Sequence, residues 1–488
     1  MIKGIIFVVR GGTFITRGSG AHRIAHHLRL HGIDVEVVDY SHFMTLEELQ
    51  EIARSRYSSD LAFYGFSTFF NNWNDTMNQF TAWLKRTYPN TPTVLGGQSV
   101  MITNATNIDY WIDSYGEVAM LELVKYLRSN GEALDTEIID GKNVIKALHK
   151  YPAYTLDTYM IKYEKRDFIK PYEFLTTELG RGCKFKCGFC TFALLGVRED
   201  RSRSSEDFYD EMIYNYDNFG VTRYHFADET VNDRVEKIIK CAEAVDRLPF
   251  KPWYHGFVRA DLLIKHKPHW DHYVKMNFGG QYYGIESFNK KASQVVGKGM
   301  ESEKLKAGLL EIKNYWKLNN VPYRGTASMI CGLPNDTEET WNDSVNWLLN
   351  NWTDQAVLTF CLEIPIPDYR ATKESAFSEN PEKFGIKQRK VFELKEHKVL
   401  NVQRDQLSWE HDTMNQHRAT ELVSDFQRDH SHKFMENGWH LNNFSVINQS
   451  TELDKLLSYS RKSTNTGNMA PEENTFIREY IENKLNWR

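Results

Sequence analysis

Three of the six cysteines lie in one short stretch, Gly180-Arg181-Gly182-Cys183-Lys184-Phe185-Lys186-Cys187-Gly188-Phe189-Cys190. Their spacing is Cys-x3-Cys-x2-Cys, and the stretch directly follows residues 174–179, a run rich in Leu, Thr and Phe that is typical of a strand. Glycines inside the stretch let the backbone bend so that three thiols meet at one point. The fold must therefore hold a tight, glycine-rich loop at the end of a strand.

Three converging thiolates can hold three corners of an iron–sulfur cube and leave one iron open to another ligand. An open iron favours catalysis over the storage of electrons. The alternative is a zinc site, which takes a fourth Cys or His at short spacing. The next cysteine is Cys241, and no histidine lies between Cys183 and Phe208. The spacing therefore favours the cluster over zinc.

Composition narrows the class of protein further. The chain has 488 residues, of which 41% are hydrophobic and 26% charged, as expected of a globular protein of about three domains. A net charge of −5 gives no support for nucleic-acid binding. No membrane span or signal-peptide pattern is evident, so a cytoplasmic location is expected. The scattered Cys241, Cys331 and Cys361 are predicted to be small buried hydrophobic residues.

Residues 1–130 alternate between runs typical of buried strands and runs typical of amphipathic helices. Gly4–Val9 is continuously apolar, as a strand buried on both faces should be. Thr45-x-x-Glu48 is a capping box that opens a helix. The alternation predicts a doubly wound, Rossmann-like parallel sheet with a ligand crevice beyond the carboxyl ends of its strands. The loops predicted to line this crevice are Arg10–Gly20, Ser67-Thr68, Gly96-Gly97-Gln98 and Gly116-Glu117.

Three further regions follow. Residues 131–173 form a tyrosine-rich connecting segment that is expected to pack on both of its neighbours. Residues 174–365 contain about six strand–helix units, which predicts a partial (β/α)6 barrel with active residues at the carboxyl ends of its strands. Residues 366–488 are polar and have a helical pattern, and we expect a helical region that covers the barrel mouth.

The cysteine stretch and its place after the first barrel strand resemble the radical S-adenosylmethionine (SAM) enzymes. Phe189, the aromatic residue before the last cysteine, matches that family's pattern. The resemblance implies that Cys183, Cys187 and Cys190 ligate a 4Fe–4S cluster whose open iron chelates SAM. One electron from the reduced cluster then cleaves SAM and starts radical chemistry. A reducing electron donor such as flavodoxin or ferredoxin is implied as a partner.

Residues 1–130 look like the cobalamin-binding domain that precedes many radical SAM barrels. The resemblance rests on glycine-rich stretches in a matching order after successive strands, and it implies cofactor contacts from Ser67, Gly96, Gly97 and Gly116. The Asp-x-His-x-x-Gly signature of a lower axial histidine is missing from the Arg10–Gly20 loop. His22 lies nearby but is predicted to be an exposed helix residue. The alternative is a Rossmann-like domain with a different pocket.

Other family motifs imply SAM contacts at the ends of later barrel strands. Glu229, or Asp228 beside it, lies where the family often contacts the SAM amino group. Arg259 could pair with the SAM carboxylate; the alternative for Arg259 and Glu286 is a buried ion pair within the barrel. Polar contacts from Glu286 and Ser287 are also implied. Gly332 would allow close approach of the adenine or ribose, unless it only forms a strand-to-helix turn. In strand six, Ile364-Pro365-Ile366-Pro367-Asp368-Tyr369 replaces the family's Pro-Gly-Thr pattern.

Together these resemblances imply a cobalamin-dependent radical SAM enzyme that transfers a methyl group to an unactivated carbon or phosphorus of a small-molecule or peptide substrate. One alternative is a cobalamin-independent radical SAM oxidoreductase, mutase or cyclase. Another is a non-enzymatic iron–sulfur or zinc protein. Methyl transfer requires contact between the reacting atoms, so the crevice loops of the sheet should face the cysteine loop. Ser67, Gly97 and Gly116 are then expected on one side of a shared cavity, and Cys190, Glu286 and Arg259 on the other.

Overall fold

The structure is a computed structural model. It describes residues 2–10, 15–68, 73–98, 100–129, 134–150, 156, 160–365, 367–391, 407–436, 445–446, 449–453, 457 and 471–487. Within these ranges, no helix combines the length and apolar character needed to cross a membrane.

The first domain is built on a seven-stranded sheet with the strand order β2-β1-β3-β4-β5-β7-β6. All pairings are parallel except the one between β6 and β7. The strands are β1 (Gly4–Val9), β2 (Val35–Val38), β3 (Phe63–Thr68), β4 (Thr93–Gly97), β5 (Tyr110–Asp113), β6 (Glu137–Ile139) and β7 (Lys142–Lys146). Its helices are α1 (Ser19–Leu30), α2 (Leu46–Arg56), α3 (Asp75–Thr87), α4 (Glu117–Arg128) and the short α5 (Ala147–Lys150).

This architecture is the doubly wound sheet that the sequence predicts. Every residue of β1 is buried, and the Thr45–Glu48 capping box is formed at the start of α2. Helices α1 and α4 pack on one face of the sheet, and α2 and α3 pack on the other. The sheet continues past the predicted boundary at residue 130, because β7 pairs with β5 and carries β6 as an edge strand.

The second domain is a partial barrel of six parallel strands that pair in chain order. The strands are β8 (Leu175–Thr177), β9 (Arg223–Phe226), β10 (Trp253–Val258), β11 (Phe278–Glu286), β12 (Arg324–Cys331) and β13 (Ala356–Cys361). The helices are α6 (Ser205–Phe219), α7 (Val235–Val245), α8 (Ala260–Lys265), α9 (Trp270–Lys275), α10 (Lys290–Val295), α11 (Ser302–Leu318) and α12 (Glu338–Asn351). Their apolar faces pack on the outward-facing residues of the strands and form the largest core of the protein.

The C-terminal region differs from the predicted helical cap. Besides α13 (Ala376–Glu379), α14 (Gln416–Asp429) and α15 (Pro471–Asn486), it contains an antiparallel sheet of β14 (Lys387–Val391), β15 (Leu407–His411) and β16 (Met414–Asn415). Helix α14 packs beside β12 and β13. Helix α15 instead returns to the first domain, where Phe476 and Tyr480 belong to the same core as α2 and α3. The described residues of this region therefore cover the outside of the barrel and complete the first domain. As expected of a cover for the barrel mouth, part of the region also contacts the cysteine loop, where the Phe377 N–H donates to the Gly188 carbonyl (3.0 Å).

Candidate active site at the junction of the two domains

The cysteine loop follows β8 and is closed by hydrogen bonds to its own later residues. The Cys183 N–H donates to the Leu194 carbonyl (2.9 Å), and the Gly196 N–H donates back to the Cys183 carbonyl (2.7 Å). Gly182 has a φ of +92°, and a side chain there would meet Val197. The loop must pass through this conformation to turn back on itself, which explains a glycine directly before the first cysteine.

The three thiols of the loop lie close together. Burial raises the pKa of the Cys190 thiol to about 12, and the neighbouring Cys187 and Cys183 add to this rise. Burial also raises the pKa of Cys187, while the nearby cations Lys298 and Arg259 oppose the rise. Such pKa shifts are expected where three thiols lie close together in a half-buried site with cations beside them.

The described residues contain no group of three or more His, Cys, Asp or Glu side chains arranged around one metal ion. Thiolates at three corners of a cube bind three different irons, so they need not form such a group. Cys241, Cys331 and Cys361 are free cysteines in α7, β12 and β13. The first two are buried and Cys361 is half-buried, as their isolated positions in the sequence suggest. Phe189 is half-buried against the barrel core.

Arg259 precedes α8 at the end of β10 and lies against the cysteine loop. Its guanidinium carbon is 3.9 Å from the centre of the Phe185 ring. The Nη2 and Nε atoms donate to Asp261 (2.7 and 3.0 Å), whereas the buried Nη1 has no hydrogen-bond partner. The predicted alternative, a buried ion pair within the barrel, is formed with Asp261 rather than with Glu286. Nη2 and Nε of the guanidinium are thus held by the protein, and Nη1 is available to donate to a ligand.

Glu286 ends β11 in a strained conformation. Its φ is +66°, in the left-handed region that non-glycine residues rarely adopt, and the register between β11 and β12 shifts at this point. The carboxylate pairs with Lys298 (2.7 Å). A side chain at Gly284 would collide with this pair. Local strain that the surrounding structure maintains is typical of a functional site.

The Ser287 side chain links the turn after β11 to the turn after β12. Its hydroxyl donates to Asp336 (2.9 Å) and accepts the N–H of Asn289 (3.0 Å). Burial raises the pKa of Asp336 to about 7. These bonds give Ser287 a clear structural role, and a contact with SAM stays a prediction.

The two acidic residues after β9 have different surroundings. Asp228 is buried and accepts hydrogen bonds from the backbone of the cysteine loop at Leu179 and Gly180 and from Lys237. Glu229 is half-buried, its Oε1 accepts a long bond from the Tyr115 hydroxyl (3.4 Å), and its Oε2 has no partner. Burial raises the pKa of Glu229 to about 7. Of the two residues named in the sequence, Glu229 has a carboxylate oxygen left for a ligand.

The space beside Gly332 is filled by the protein itself. A side chain at this residue, whose φ is +91°, would meet the indole of Trp409 and the methyl group of Ala419. The Trp409 indole in turn donates to the Leu362 carbonyl (2.9 Å). The prediction that Gly332 admits adenine or ribose is therefore corrected: the glycine admits Trp409, which belongs to the β14–β16 sheet that the sequence pattern did not predict.

The loops at the carboxyl ends of the first sheet meet the cysteine loop. The Gln98 side chain, directly after Gly96 and Gly97, donates to the Thr191 carbonyl (3.0 Å). Glu117, directly after Gly116, pairs with Arg181 at 2.5 Å, and both side chains are buried. The two groups of loops therefore face each other as predicted. Residues 11–14 of the predicted Arg10–Gly20 loop lie outside the described residues.

Several glycines lie at this carboxyl-end edge of the first sheet. Gly97 has a φ of +149°, and a side chain there would lie 2.5 Å from the Thr68 carbonyl. At Gly96 the nearest atom to an added side chain is 3.7 Å away. Ser67 is half-buried, and Gly116 caps α4 against Ile24. Gly97 thus serves close packing against Thr68, and Gly116 serves helix packing, whereas cofactor contacts from Ser67, Gly96 and Gly97 stay a prediction.

His22 is buried, which corrects the prediction of an exposed helix residue. Its Nε2 lies 2.8 Å from Asp39, its Nδ1 lies 3.6 Å from Asp167, and its ring packs on Tyr163. The connecting segment covers this side of α1, and a helical pattern alone does not reveal that cover. Because both ring nitrogens face carboxylates, His22 is not placed to ligate a group in the crevice.

Three residues of the site were not singled out from the sequence: Tyr115, Arg181 and Lys298. Arg181 lies within the cysteine stretch, between two glycines, and this position is a sequence signal that marks it as a candidate site residue. Lys298 follows a Gly-containing turn far along the chain, and only the fold brings it to Glu286.

Comparisons with known proteins agree with this geometry. Residues 177–348 match the family model of the Radical SAM superfamily. Among solved structures, the radical S-adenosylmethionine methyltransferase TsrM from Kitasatospora setae, with cobalamin and a [4Fe-4S] cluster bound, is similar over 99% of this chain and 100% of its own, with a TM-score of 0.64 and 12% identity. The cobalamin-dependent S-adenosylmethionine radical enzyme OxsB, with aqua-cobalamin and S-adenosylmethionine bound, is similar over 99% of this chain and 79% of its own, with a TM-score of 0.61 and 13% identity. No curated protein sequence matches the chain.

Proposed function

We propose that this chain, whose residues 177–348 match the Radical SAM superfamily, is a cobalamin-dependent radical SAM enzyme. It reductively cleaves SAM at a 4Fe–4S cluster and transfers a methyl group to an unactivated carbon or phosphorus. One observation carries the proposal: the three-cysteine loop at the end of β8 lies directly against the carboxyl-end loops of the first sheet, joined to them by the Gln98–Thr191 hydrogen bond. The structures of TsrM and OxsB to which this chain is similar have cobalamin bound.

The donor set of the cysteine loop fits a 4Fe–4S cluster. Cys183, Cys187 and Cys190 would ligate three irons and leave the fourth open to another ligand. When bound, the cluster supplies the electron that cleaves SAM. The protein's part is to hold the thiols together and to place cations beside them; Arg259 and Lys298 do the latter.

The groups left without partners fit SAM. The free Nη1 of Arg259 would donate to the SAM carboxylate, in a charge-assisted hydrogen bond. The free Oε2 of Glu229 would accept from the SAM amino group. Glu286, held rigid by Lys298, would offer a further acceptor from the end of β11. These three residues surround the cysteine loop, so they would orient one ligand toward it.

Gly96 and Gly97, which carry no side chains, would let a flat macrocycle lie on the backbone beside the half-buried Ser67. When bound, cobalamin supplies the methyl group that is transferred. The chain would hold the group without a lower axial ligand from His22, which is buried and bonded to Asp39. The facing loops would exclude water from the space between the two cofactors.

We further propose a small-molecule or peptide substrate that enters between the two domains. All six cysteines are free thiols, and a reducing compartment such as the cytoplasm suits both them and an oxygen-sensitive cluster.

Anaerobic purification with hydroxocobalamin, followed by optical spectra and metal counts, tests the proposal. We expect roughly four irons and about one cobalt per chain. Incubation of the reconstituted enzyme with dithionite and SAM should release 5′-deoxyadenosine. Full iron without cobalt would favour a cobalamin-independent radical SAM enzyme. Full iron with no 5′-deoxyadenosine would reject SAM cleavage.

A further inference from the structure

The inner face of the six-stranded barrel carries cations and hydrogen-bond donors but almost no acid. Side chains alternate between the two faces of a strand, and Tyr224 and Tyr254 belong to the core outside the barrel. Their neighbours on β9 and β10 therefore point into the barrel. The six strands contain one acidic residue, Glu286 at the mouth, and Lys298 already pairs with it. These strands therefore leave the cations inside the barrel without a carboxylate of their own.

Arg223 lies at the start of β9, at the end of the barrel away from the cysteine loop, and is 2% exposed. Its Nη2 donates to the Ser450 carbonyl (2.7 Å) and its Nη1 to the Ser445 hydroxyl (3.5 Å). The buried Nε has no hydrogen-bond partner. Burial lowers the pKa of Arg223 to about 10, and no carboxylate of the described residues opposes this. Because a guanidinium keeps its charge near neutral pH, the cost of burying this charge is not offset.

Arg324, at the start of β12, is also buried without a carboxylate partner among the described residues. Its guanidinium donates to two backbone carbonyls, those of Glu436 (2.8 Å) and Leu457. Burial lowers its pKa to about 10, against the opposing charges of Glu436 and Asp354. The barrel therefore contains a second buried cation whose charge is met only by backbone dipoles.

Two histidines lie next to these arginines on the inner face. His225 follows Arg223 by two residues and pairs in register with His255, and the Nδ1 atoms of the two rings lie 3.3 Å apart. Gly280 pairs with both His255 and Arg324, which places Arg324 on the same face. Burial lowers the pKa of His225 to about 3 and also lowers the pKa of His255, so both rings are neutral near pH 7. Neutral imidazoles can donate hydrogen bonds to an anion, but they offer Arg223 no negative charge.

The inner face becomes more accessible toward the mouth of the barrel. On β9, Arg223 is buried and His225 is half-buried, and Ala227, directly after the strand, is exposed. On β12, Thr326 is buried with no hydrogen-bond partner for its hydroxyl, and Ser328 is half-buried. The barrel is therefore accessible from the side of the cysteine loop, and its buried cations lie at the opposite end, which we call the floor.

Aromatic rings line the inner face between the mouth and the floor. Phe257 pairs in register with Tyr282, and the centres of their rings lie 5.2 Å apart. The rings of Phe174 and Trp253 lie 5.4 and 5.9 Å from the ring of His255. This lining suits an apolar or aromatic group that extends from the floor toward the mouth.

We propose that the substrate carries a carboxylate or phosphate group, which Arg223 binds at the floor of the barrel. The inference rests on the proposed function, because only then is a molecule inside the barrel the acceptor of the methyl group. The unpartnered Nε of Arg223 donates to the anion in a charge-assisted hydrogen bond. His225 and His255 offer donors beside it, and Arg324 adds positive charge on the same face. A substrate held in this way directs its other end toward the cysteine loop.

Binding of three small probes to the anaerobically reconstituted full chain tests the proposal: phenylacetate, phenyl phosphate and the neutral phenylacetamide. Calorimetric titrations are run at constant ionic strength with SAM present and without a reductant, so that the SAM site is filled and no turnover occurs. At least one of the two anions should bind on the order of ten-fold more tightly than the amide. The anion that binds more tightly identifies the group as a carboxylate or a phosphate.

Arg223→Gln should remove the preference for the anions over the amide. The matched control is Arg86→Gln at an exposed position in α3, which should keep the preference. Equal binding of the anions and the amide by the wild type would overturn the proposal. An unchanged preference in a folded Arg223→Gln variant would overturn it as well.

If Arg223→Gln does not fold, His225→Glu takes its place. This variant keeps Arg223 and adds a carboxylate two residues away on the same inner face, where it should pair with the guanidinium and exclude both anions. His225→Gln is its control, because the new side chain has a similar size and no charge, and it should still prefer the anions. Anion binding by His225→Glu as tight as by His225→Gln would contradict the proposal.

SAM cleavage by the wild type separates this proposal from the proposed function. Wild type that binds an anionic probe but never releases 5′-deoxyadenosine with dithionite would reject the function and leave the anion site in place. Wild type that contains iron and cobalt and releases 5′-deoxyadenosine, but does not distinguish the anions from the amide, would reject the anion site and leave the function intact.

Discussion

At the scale of single residues, the site holds polar groups that the protein alone does not satisfy. Arg259 Nη1 and Glu229 Oε2 are buried atoms without hydrogen-bond partners. Each such group costs about 1–3 kcal/mol, and the left-handed backbone of Glu286 costs about as much. All three lie around one cysteine loop. A ligand that carries both a carboxylate and an amino group would satisfy the first two, which is why SAM fits this site.

The division of the cysteines into two groups gives a test at this scale. Changing Cys183, Cys187 or Cys190 to Ala should remove most of the bound iron, because each would be one of three protein ligands. Changing Cys241, Cys331 or Cys361 to Ala should leave the iron content unchanged. Iron is counted after anaerobic reconstitution, and circular dichroism shows that each variant is folded. Loss of iron from a folded Cys331→Ala or Cys361→Ala variant would contradict the assignment.

Asp336 gives a prediction about pH. Burial raises its pKa in the folded protein to about 7, above the roughly 3.9 of an unfolded chain. The folded state therefore binds the proton more tightly, and stability should fall as pH rises from about 4 to about 7. Asp336→Asn, which keeps an acceptor for Ser287, should remove this part of the pH dependence. Melting temperatures measured at several pH values check the prediction.

The exposed Asp343 on α12 is the matched control for Asp336. Asp343→Asn should leave the pH profile of the melting temperature as it is in the wild type. If Asp336→Asn also follows the wild-type profile, the buried carboxyl does not titrate as described.

At the scale of elements, glycines define the edge of the first sheet. Gly97→Ala should destabilise the protein by about 1–3 kcal/mol, because the residue has a φ of +149° and the new methyl group would meet the Thr68 carbonyl. Gly20→Ala is the control: this residue lies exposed in α1 with no atom within 4 Å of the added methyl group. Its helix should be unchanged or slightly more stable. Denaturant midpoints compare the two; equal midpoints would contradict the strain at Gly97.

The strands of both domains could be predicted because their signal is local. The continuous apolar run Gly4–Val9, for example, forms a strand with the bounds that the sequence suggests. The pairing of β7 with β5 and the antiparallel β14–β16 sheet were not predicted, because their short, polar strands depend on distant partners. The same holds in the site: the cysteine spacing is local, whereas the burial of His22 and the filling of space at Gly332 by Trp409 come from segments far along the chain.

At the scale of the whole molecule, the last helix of the chain packs on the first domain. After the barrel, α15 returns to the first domain, where the Tyr480 hydroxyl accepts the backbone N–H of Asp39 (2.8 Å) and Lys484 pairs with Glu36 (3.2 Å). The C-terminus therefore stabilises the domain that begins the chain. Because that domain forms one side of the candidate site, the relative placement of the two cofactors depends on the entire chain.

A buried pair of Glu117 and Arg181 joins the start of α4 to the cysteine loop. Glu117→Gln should destabilise the protein by about 1–3 kcal/mol, because the buried Arg181 guanidinium loses one of its charged partners, although it keeps Glu178 at 3.2 Å. Glu122→Gln, in the same helix, removes an exposed pair with Lys125 and should cost less than about 1 kcal/mol. Urea unfolding of the three proteins measures the difference.

A double variant tests whether the loss of stability comes from the interaction between Glu117 and Arg181 or from the change at Glu117 alone. Arg181→Met combined with Glu117→Gln removes both members of the pair, so the loss of stability should be smaller than the sum of the two single changes. If the double variant is less stable by the sum of both single changes, the two residues do not act together. A Glu117→Gln variant as stable as the wild type would mean that the domains are held by other contacts, such as the Gln98–Thr191 hydrogen bond.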